Sequence, residues 1–188
     1  MRRLLVLLFL IATPAAANES VGCQDLWFTR NLVMDRAGYC FSTRLGQAMF
    51  DNGGCIGKTV SVDPRSSRLV AEIQALERSH GCKVSRNRTY LDLDDLWIRR
   101  QLIDLPIFDE FPGGCLGWIG PVTPLYAGRN PASAVIGRIS PGDYVGFTHV
   151  PVGNWSYVTV SEPGWGPVKG GGWMNGTMQN LPCQDFAG

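Results

Sequence analysis

The side chains that could do chemistry in this 188-residue chain are few and scattered. Its two histidines, His80 and His149, stand far apart, and neither belongs to a His-Glu-x-x-His zinc motif. The sequence also lacks a Gly-x-Ser-x-Gly nucleophile elbow. Carboxylates suited to acid–base hydrolysis occur in two groups, which are Asp92, Asp94 and Asp95, and Asp109 with Glu110. Such charges are normally exposed, so we expect no enzyme, no cofactor and no metal site.

Aromatic side chains are better candidates for binding a ligand. Those considered for ligand binding are Tyr126, Trp155, Tyr157, Trp165 and Trp173. Trp165 stands between glycines in a Gly/Pro-rich loop, which suits stacking on a peptide or a sugar. The alternative is that Trp165 folds down as a lid over the neighbouring strands, because a large apolar side chain seeks cover. Trp155 and Trp173 are also typical of core positions.

The first 17 residues have the pattern of a secretory signal peptide. Arg2 and Arg3 form a basic start, Leu4–Ala12 is an apolar run, and Ala15–Ala17 offers small residues for cleavage after Ala17. The apolar run is shorter than a membrane span requires, and no later stretch is longer. We therefore expect an exported chain, periplasmic or secreted, without a membrane span after cleavage.

All six cysteines lie beyond the expected cleavage site. An even number in an oxidising compartment predicts three disulfides, although sequence alone does not choose among the pairings. The absence of Cys-x-x-Cys gives no support to a zinc ribbon or a thioredoxin-type site. The pairs that we favour are Cys23–Cys82, Cys40–Cys55 and Cys115–Cys183.

Charge and composition exclude some partner classes. The chain has 17 Lys and Arg against 16 Asp and Glu, and this balance argues against nucleic-acid binding. Apolar residues make up 45% of the chain, which is enough to build an ordered core.

The first half of the mature chain has helical periodicity. Asp25 is expected to cap a first helix. Asp63 followed by Pro64 is the clearest helix start, with Asp as the N-cap and Pro at the first helical position, and Gly81 ends that helix. The acidic residues at 92–95 are expected to begin a further helix, where the helix dipole favours them.

A short motif occurs twice in this half of the chain. The shared positions are Asp25, Leu26, Trp27, Arg30 and Leu32 in the first copy, and Asp95, Leu96, Trp97, Arg100 and Leu102 in the second. The similarity indicates either two copies of one helix-packing element or two amphipathic helices that match by chance. Two copies are too few for a repeat architecture.

Beyond Pro106 the pattern changes to short strand-like runs separated by Gly- and Pro-rich turns. Runs of this length and spacing predict a small barrel or sandwich. The expected strands are Val122–Tyr126, Ala134–Ile139, Tyr144–Val150, Trp155–Val160 and a last one around Trp173.

Two family resemblances follow from these segments. Residues 34–39, Met-Asp-Arg-Ala-Gly-Tyr, keep the Arg, Gly and final Tyr of a Y-A-R-H-G-Y signature. Asp25–Trp27, Phe50–Asn52 and Cys55 strengthen the match. Residues 23–85 therefore resemble the YARHG domain, and more closely its cysteine-bearing relatives in exported alphaproteobacterial proteins. The resemblance implies a small extracytoplasmic helical module of no established activity.

The second half, over residues 116–180, resembles a bacterial Src-homology-3-type barrel. The segments that carry the resemblance are Pro124–Tyr126, Val135–Ile139, Pro141–Asp143, Trp155–Val158 and Gly172–Met174. The insertion Glu162–Gly171 departs from the pattern of that family. Barrels of this type in exported proteins bind cell-wall peptides or partner proteins, or pack against a neighbouring domain, and fold alone does not give the ligand.

The sequence thus predicts an α+β protein with a disulfide-bonded helical domain and a small Src-homology-3-type β-barrel. The expected boundaries are 1–17 for the signal peptide, 18–105 for the helical YARHG-like domain, 106–115 for a linker and 116–188 for the barrel. The expected function is non-enzymatic binding in the cell envelope, to peptidoglycan or to an envelope protein, through the barrel face. The alternatives are a small exported hydrolase using carboxylates, and a secreted inhibitor or assembly factor presenting the loop Glu162–Gly171.

Overall fold

A computed structural model describes residues 19–179 and 181–188, so the expected signal peptide lies outside the described residues. Four helices precede a sheet of seven strands. The helices are α1 Val21–Arg36, α2 Arg44–Met49, α3 Pro64–Ser79 and α4 Leu96–Arg99. The strands are β1 Phe108–Trp118, β2 Thr123–Tyr126, β3 Val135–Ile139, β4 Tyr144–His149, β5 Trp155–Ser161, β6 Val168–Asn175 and β7 Cys183–Ala187. None of the described helices is long and apolar enough to cross a membrane.

Local capping rules explain where α3 begins and ends. The carboxylate of Asp63 accepts hydrogen bonds from the backbone N–H groups of Arg65 and Ser66, and Pro64 occupies the first helical position. Gly81 follows the helix with a φ of +62°, the left-handed conformation that favours glycine. These boundaries confirm the sequence expectation.

The start of α1 differs from the expectation. Ser20 is the N-cap, and its hydroxyl accepts a hydrogen bond from the backbone N–H of Cys23. The assignment of Asp25 as the cap was wrong, because Asp25 lies inside the helix with its side chain buried. Its carboxylate has a distant partner instead of the local backbone.

Three disulfides cross-link the chain, and they are the pairs that the sequence analysis favours. Cys23–Cys82 joins α1 to the segment just after α3, Cys40–Cys55 closes the loop that carries α2, and Cys115–Cys183 joins β1 to β7.

The strands form one open antiparallel sheet in the order β3-β2-β6-β5-β4-β1-β7. The five expected strands correspond to β2–β6. The sequence analysis missed β1 and β7, and residues 108–115 of the expected linker form most of β1, between β4 and β7. The open sheet, with β3 and β7 at its edges, does not confirm the expected Src-homology-3-type barrel.

Alternating side chains of the sheet enter two different cores. One face carries a core to which all seven strands contribute, including Ile139 of the edge strand β3 and the partly buried Cys183 of the other edge strand. On the other face, Tyr157 and Trp173 are fully buried against Ile98 and the following turn. The helical half therefore covers one face of the sheet.

The disulfides differ in the length of chain that they close, and this predicts different effects on stability. Cys115–Cys183 spans 68 residues and Cys40–Cys55 spans 15. Replacing both cysteines by alanine should lower the free energy of unfolding by about 4 kcal/mol for Cys115–Cys183 and by about 3 kcal/mol for Cys40–Cys55. Urea unfolding of the two double variants measures the difference. A larger loss for the shorter loop would contradict the loop-entropy account.

Candidate functional site

The aromatic residues expected to bind a ligand lie in three different places. Tyr157 and Trp173 are fully buried, and the indole N–H of Trp173 donates to the Asp104 carbonyl oxygen at 2.7 Å. Both rings are part of the contact between the helical half and the sheet. Trp155 is only partly buried and packs edge-to-face with Tyr126 at 5.9 Å.

Trp165 lies over glycines of the sheet. A methyl group on Gly114 would lie 2.6 Å from the Trp165 ring, and Gly146 of β4 also faces it. The ring packs edge-to-face with Tyr144 at 5.3 Å and stays 49% exposed. The backbone φ of +57° costs a non-glycine residue about 1 kcal/mol, which these contacts help to offset. Trp165 thus covers the sheet in part and presents the rest of its surface to solvent.

The most heavily engaged buried side chain is Arg99 of α4, which is 1% exposed. A guanidinium has five N–H donors, and four of these face carboxylate or hydroxyl oxygens. The acceptors are Asp95 Oδ2 at 2.9 Å from Nε, Asp25 Oδ1 at 3.0 Å and Thr29 Oγ1 at 2.9 Å from Nη1, and Asp25 Oδ2 from Nη2, which also lies beside His149 Nε2. We call these residues, together with Tyr157, the Arg99 cluster.

Tyr157 and His149 complete the Arg99 cluster from the sheet. The Tyr157 hydroxyl donates to Asp95 at 2.8 Å, and burial followed by the charge of Asp95 raises the pKa of Tyr157 well above its ordinary value. His149 Nε2 lies 3.0 Å from Asp25 and faces Arg99, while Nδ1 lies 2.9 Å from Thr148 Oγ1. The cluster therefore connects α1, α4, β4 and β5.

The pKa of Asp25 reports how strongly its partners hold it. Burial alone would raise this pKa, but the charge of Arg99, with His149 acting in the same direction, lowers it from 3.8 to about 2. Burial alone would lower the pKa of Arg99, but the charges of Asp25 and Asp95 outweigh this effect and raise it. Asp25 and Arg99 are therefore charged near neutral pH.

The duplicated sequence motif contains four of the six residues of the Arg99 cluster. Asp25 and Asp95 are the first residues of its two copies, and Thr29 and Arg99 occupy the same position in each. Sequence analysis did not identify Arg99, and the repeated Asp-Leu-Trp was the one signal that pointed to it. His149 was expected as an ordinary strand or loop residue, and it is buried at the end of β4.

A small pocket of about 160 Å³ adjoins this cluster, and the carboxylates of Asp92 and Asp94 line it with Asp25, Asp95 and His149. As expected, α4 begins directly after the acidic residues at 92–95, with Asp95 at the N-cap position, but the Asp95 side chain makes no cap bond. Asp92 bonds to Gln24 and Arg88. Most of these carboxylates are thus committed to cations or amides.

Glu110, from the second acidic group, lies beside the other histidine, His80. His80 Nδ1, at the end of α3, is 3.0 Å from the Glu110 carboxylate of β1. This contact ties the helical half to the sheet at a second place.

A groove lies where α1 and α3 meet the sheet. Its volume is about 640 Å³, and a second hollow of about 630 Å³ continues it toward Trp155. Both parts share Arg65, Ile103, Asp104, Arg129 and Val152. We call this continuous surface the junction groove.

The junction groove combines aliphatic and charged side chains. Ile103, Val150 and Val152 are exposed by 66%, 42% and 44%, which is unusual for aliphatic residues that stand together. The charged groups that line the groove are Arg36, Arg65, Arg68, Arg129, Asp63, Glu72 and Asp104. Such a surface suits a ligand with both apolar and polar groups.

Comparison with family models separates the two halves that form this groove. Residues 4–78 match the YARHG domain, which confirms that resemblance, and residues 81–188 match a domain of unknown function, DUF4453. The second match covers more than half of the chain. The chain belongs to the DUF4453 family. No curated protein and no solved structure matches it.

The family boundary assigns the members of the Arg99 cluster to different units. Arg99, Asp95, His149 and Tyr157 belong to the DUF4453 region, whereas Asp25 belongs to the YARHG region. The Arg99–Asp25 pair is therefore a buried ionic contact between the two.

Removing the cation should destabilise this DUF4453 protein strongly. Arg99→Met leaves Asp25 and Asp95 buried without their counter-charge, so we expect the free energy of unfolding to fall by about 3–5 kcal/mol. Arg68→Met on the exposed side of α3 is the matched control, with an expected change within about 0.5 kcal/mol. Urea unfolding at pH 7 measures both. A loss no larger than that of the control would contradict the role of Arg99.

The lowered pKa of Asp25 predicts an acid-dependent loss of stability. A carboxyl whose folded pKa is about 2 stabilises the fold above its unfolded pKa of 3.8, and this contribution is lost as the pH falls toward 2. The expected contribution is about 2 kcal/mol. Between pH 5 and pH 2, the free energy of unfolding should fall more steeply with falling pH for the wild type than for Asp25→Asn. Equal slopes would show that another carboxyl controls the acid transition.

Proposed function

We propose that this protein is an exported, non-enzymatic binding protein of the cell envelope that holds a peptide segment in the junction groove. The groove carries this proposal, because it has a volume of about 640 Å³ and an aliphatic surface with arginines beside it. The disulfides and the YARHG domain are consistent with an extracellular protein. The signal peptide and the periplasmic or secreted location are part of the proposal.

The shape of the groove favours an extended ligand. Its two hollows adjoin, since they share five lining residues, and each has the volume of a typical small-ligand pocket. A peptide can place alternate side chains against Ile103 and Val152 while its backbone reaches the polar groups between them. Trp155, at the far end, is the one expected aromatic residue that lines this surface.

The ligand in this proposal is a wall peptide or a segment of an envelope protein. A relation of the sheet to Src-homology-3-type barrels also remains our proposal, and its support is the shared core. Ile139 and Cys183 lie on opposite edge strands of a seven-stranded sheet, which in a flat sheet stand roughly 28 Å apart. Their participation in one core requires the sheet to curl toward closure.

The two alternative functions have less support. A hydrolase would use the carboxylates near His149, but that pocket is only about 160 Å³ and Asp25 and Asp95 are bonded to Arg99. An inhibitor would present a protruding loop, whereas Trp165 lies down on the sheet. Lys169, which bonds to Glu162 and Asp143, further secures this loop.

Binding to the cell wall can be tested by co-sedimentation of the oxidised protein with purified peptidoglycan. Val152→Glu places a charge on the aliphatic surface of the groove, and we expect retention to fall to background. Val135→Glu is the matched control, because Val135 is 60% exposed on the edge strand β3 and does not line the groove. A parallel Trp165→Ala variant tests whether the exposed part of the Trp165 ring binds the ligand.

The outcomes separate the candidate surfaces. Loss with Val152→Glu alone supports the groove, and loss with Trp165→Ala alone moves the site to the loop. If the wild type is not retained at all, peptidoglycan is overturned as the ligand. Pull-down of envelope proteins with wild type and Val152→Glu then tests the remaining ligand class.

A further inference from the structure

The junction groove carries three arginines from two different units. Arg65 and Arg68 lie one turn apart near the start of α3, and Arg129 follows β2 on the opposite side. Arg65 and Arg129 both approach the carboxylate of Asp104, although they are distant in sequence. Their guanidinium groups therefore face one region of the groove.

Asp104 fixes the positions of two of these cations. Its Oδ1 accepts a hydrogen bond from Arg65 Nη2 at 2.5 Å, and its Oδ2 accepts one from the backbone N–H of Arg129 at 2.7 Å. Arg129 Nε also lies 3.6 Å from Oδ2, and its guanidinium stands over the ring of Trp173 at 5.2 Å. Since Asp104 is itself only 10% exposed, the arrangement is held from inside the groove.

Most of the N–H donors on these arginines have no acceptor among the described residues. Each guanidinium has five, and Asp104 engages only one nitrogen of Arg65 and, at longer range, one of Arg129. Within the described part of the chain, Arg68 makes no ion pair or hydrogen bond. Asp104 also cannot neutralise three cations.

The lining of the larger hollow has four arginines against three carboxylates, which leaves a net charge of +1. The carboxylate of Asp63 accepts hydrogen bonds as the cap of α3 and from the Ser66 hydroxyl at 2.5 Å. Glu72 lies four residues after Arg68 on the same side of α3. Arg36 adds positive charge, although its Nη2 donates to the carbonyl oxygens at the end of α4.

We infer that the ligand of the junction groove is an acidic peptide whose carboxylates bind Arg65, Arg68 and Arg129. Guanidinium groups pair with carboxylates through two parallel hydrogen bonds, so unoccupied donors of this kind select carboxylates over neutral amides. The exposed Ile103 and Val152 lie beside the arginines, so aliphatic residues flank the acidic ones. This inference rests on the proposed function and specifies its ligand.

Two synthetic probe peptides test the inference with the oxidised protein. One alternates leucine and glutamate over five residues, and the other has glutamine in place of each glutamate. Fluorescence anisotropy at low salt should show about tenfold tighter binding of the glutamate probe. The difference should shrink as salt is added, because exposed charges are screened.

Matched variants locate the charge recognition. Arg65→Gln and Arg68→Gln should weaken binding of the glutamate probe several-fold and leave the glutamine probe unchanged. Arg138→Gln, an exposed arginine of β3 outside the groove, is the control and should change neither. Retained thermal unfolding temperatures verify that the variants fold.

The outcomes distinguish this inference from the function beneath it. If both probes bind equally and Val152→Glu abolishes both, the groove binds peptides but the preference for acidic ligands is overturned. If the glutamate probe binds better but Arg138→Gln weakens it as much as Arg68→Gln, the charge site lies elsewhere. If neither probe binds, the peptide groove and its acidic ligand are both overturned.

Discussion

The buried guanidinium of Arg99 holds the YARHG and DUF4453 regions in one arrangement. Removing an arginine and two aspartates from water costs several kcal/mol for each ion unless all their donors and acceptors find partners. Here Asp25 comes from α1, Asp95 from the start of α4, and His149 and Tyr157 from the sheet. The regions cannot separate at this point without leaving a buried charge unpaired, and such a contact is correspondingly rigid.

This rigidity determines the shape of the junction groove. Arg36 and α3 form one wall, and the segments around Ile103, Arg129 and Val152 form the other. Arg36, which lines the groove, donates a hydrogen bond to the Arg99 carbonyl oxygen at 3.4 Å. The groove and the Arg99 cluster are therefore directly connected. A fixed width means that little ordering is needed when a ligand binds, which favours affinity.

Local chemistry was enough to predict some of these features and not others. The start of α3 at Pro64 depends on neighbouring residues, and the sequence predicts it. Asp25 has the residue type of a cap, and only Arg99, 74 residues away, explains why it is buried. The glycines at 113–114 suggested a linker, because the contacts that explain them are also distant in sequence. They permit Met178 and Trp165 to lie against β1, and neither contact is local.

The binding surface was the hardest feature to predict, because no single segment contains it. Aromatic residues drew attention to the sheet, yet Tyr157 and Trp173 alternate with core positions and are covered by the helical half. The candidates that replace them are exposed aliphatic and arginine side chains, and no local sequence motif marks these positions. Each family unit supplies one wall, so neither unit has the complete groove alone. The consequence is that the proposed ligand site needs both family units, which the Arg99–Asp25 contact joins.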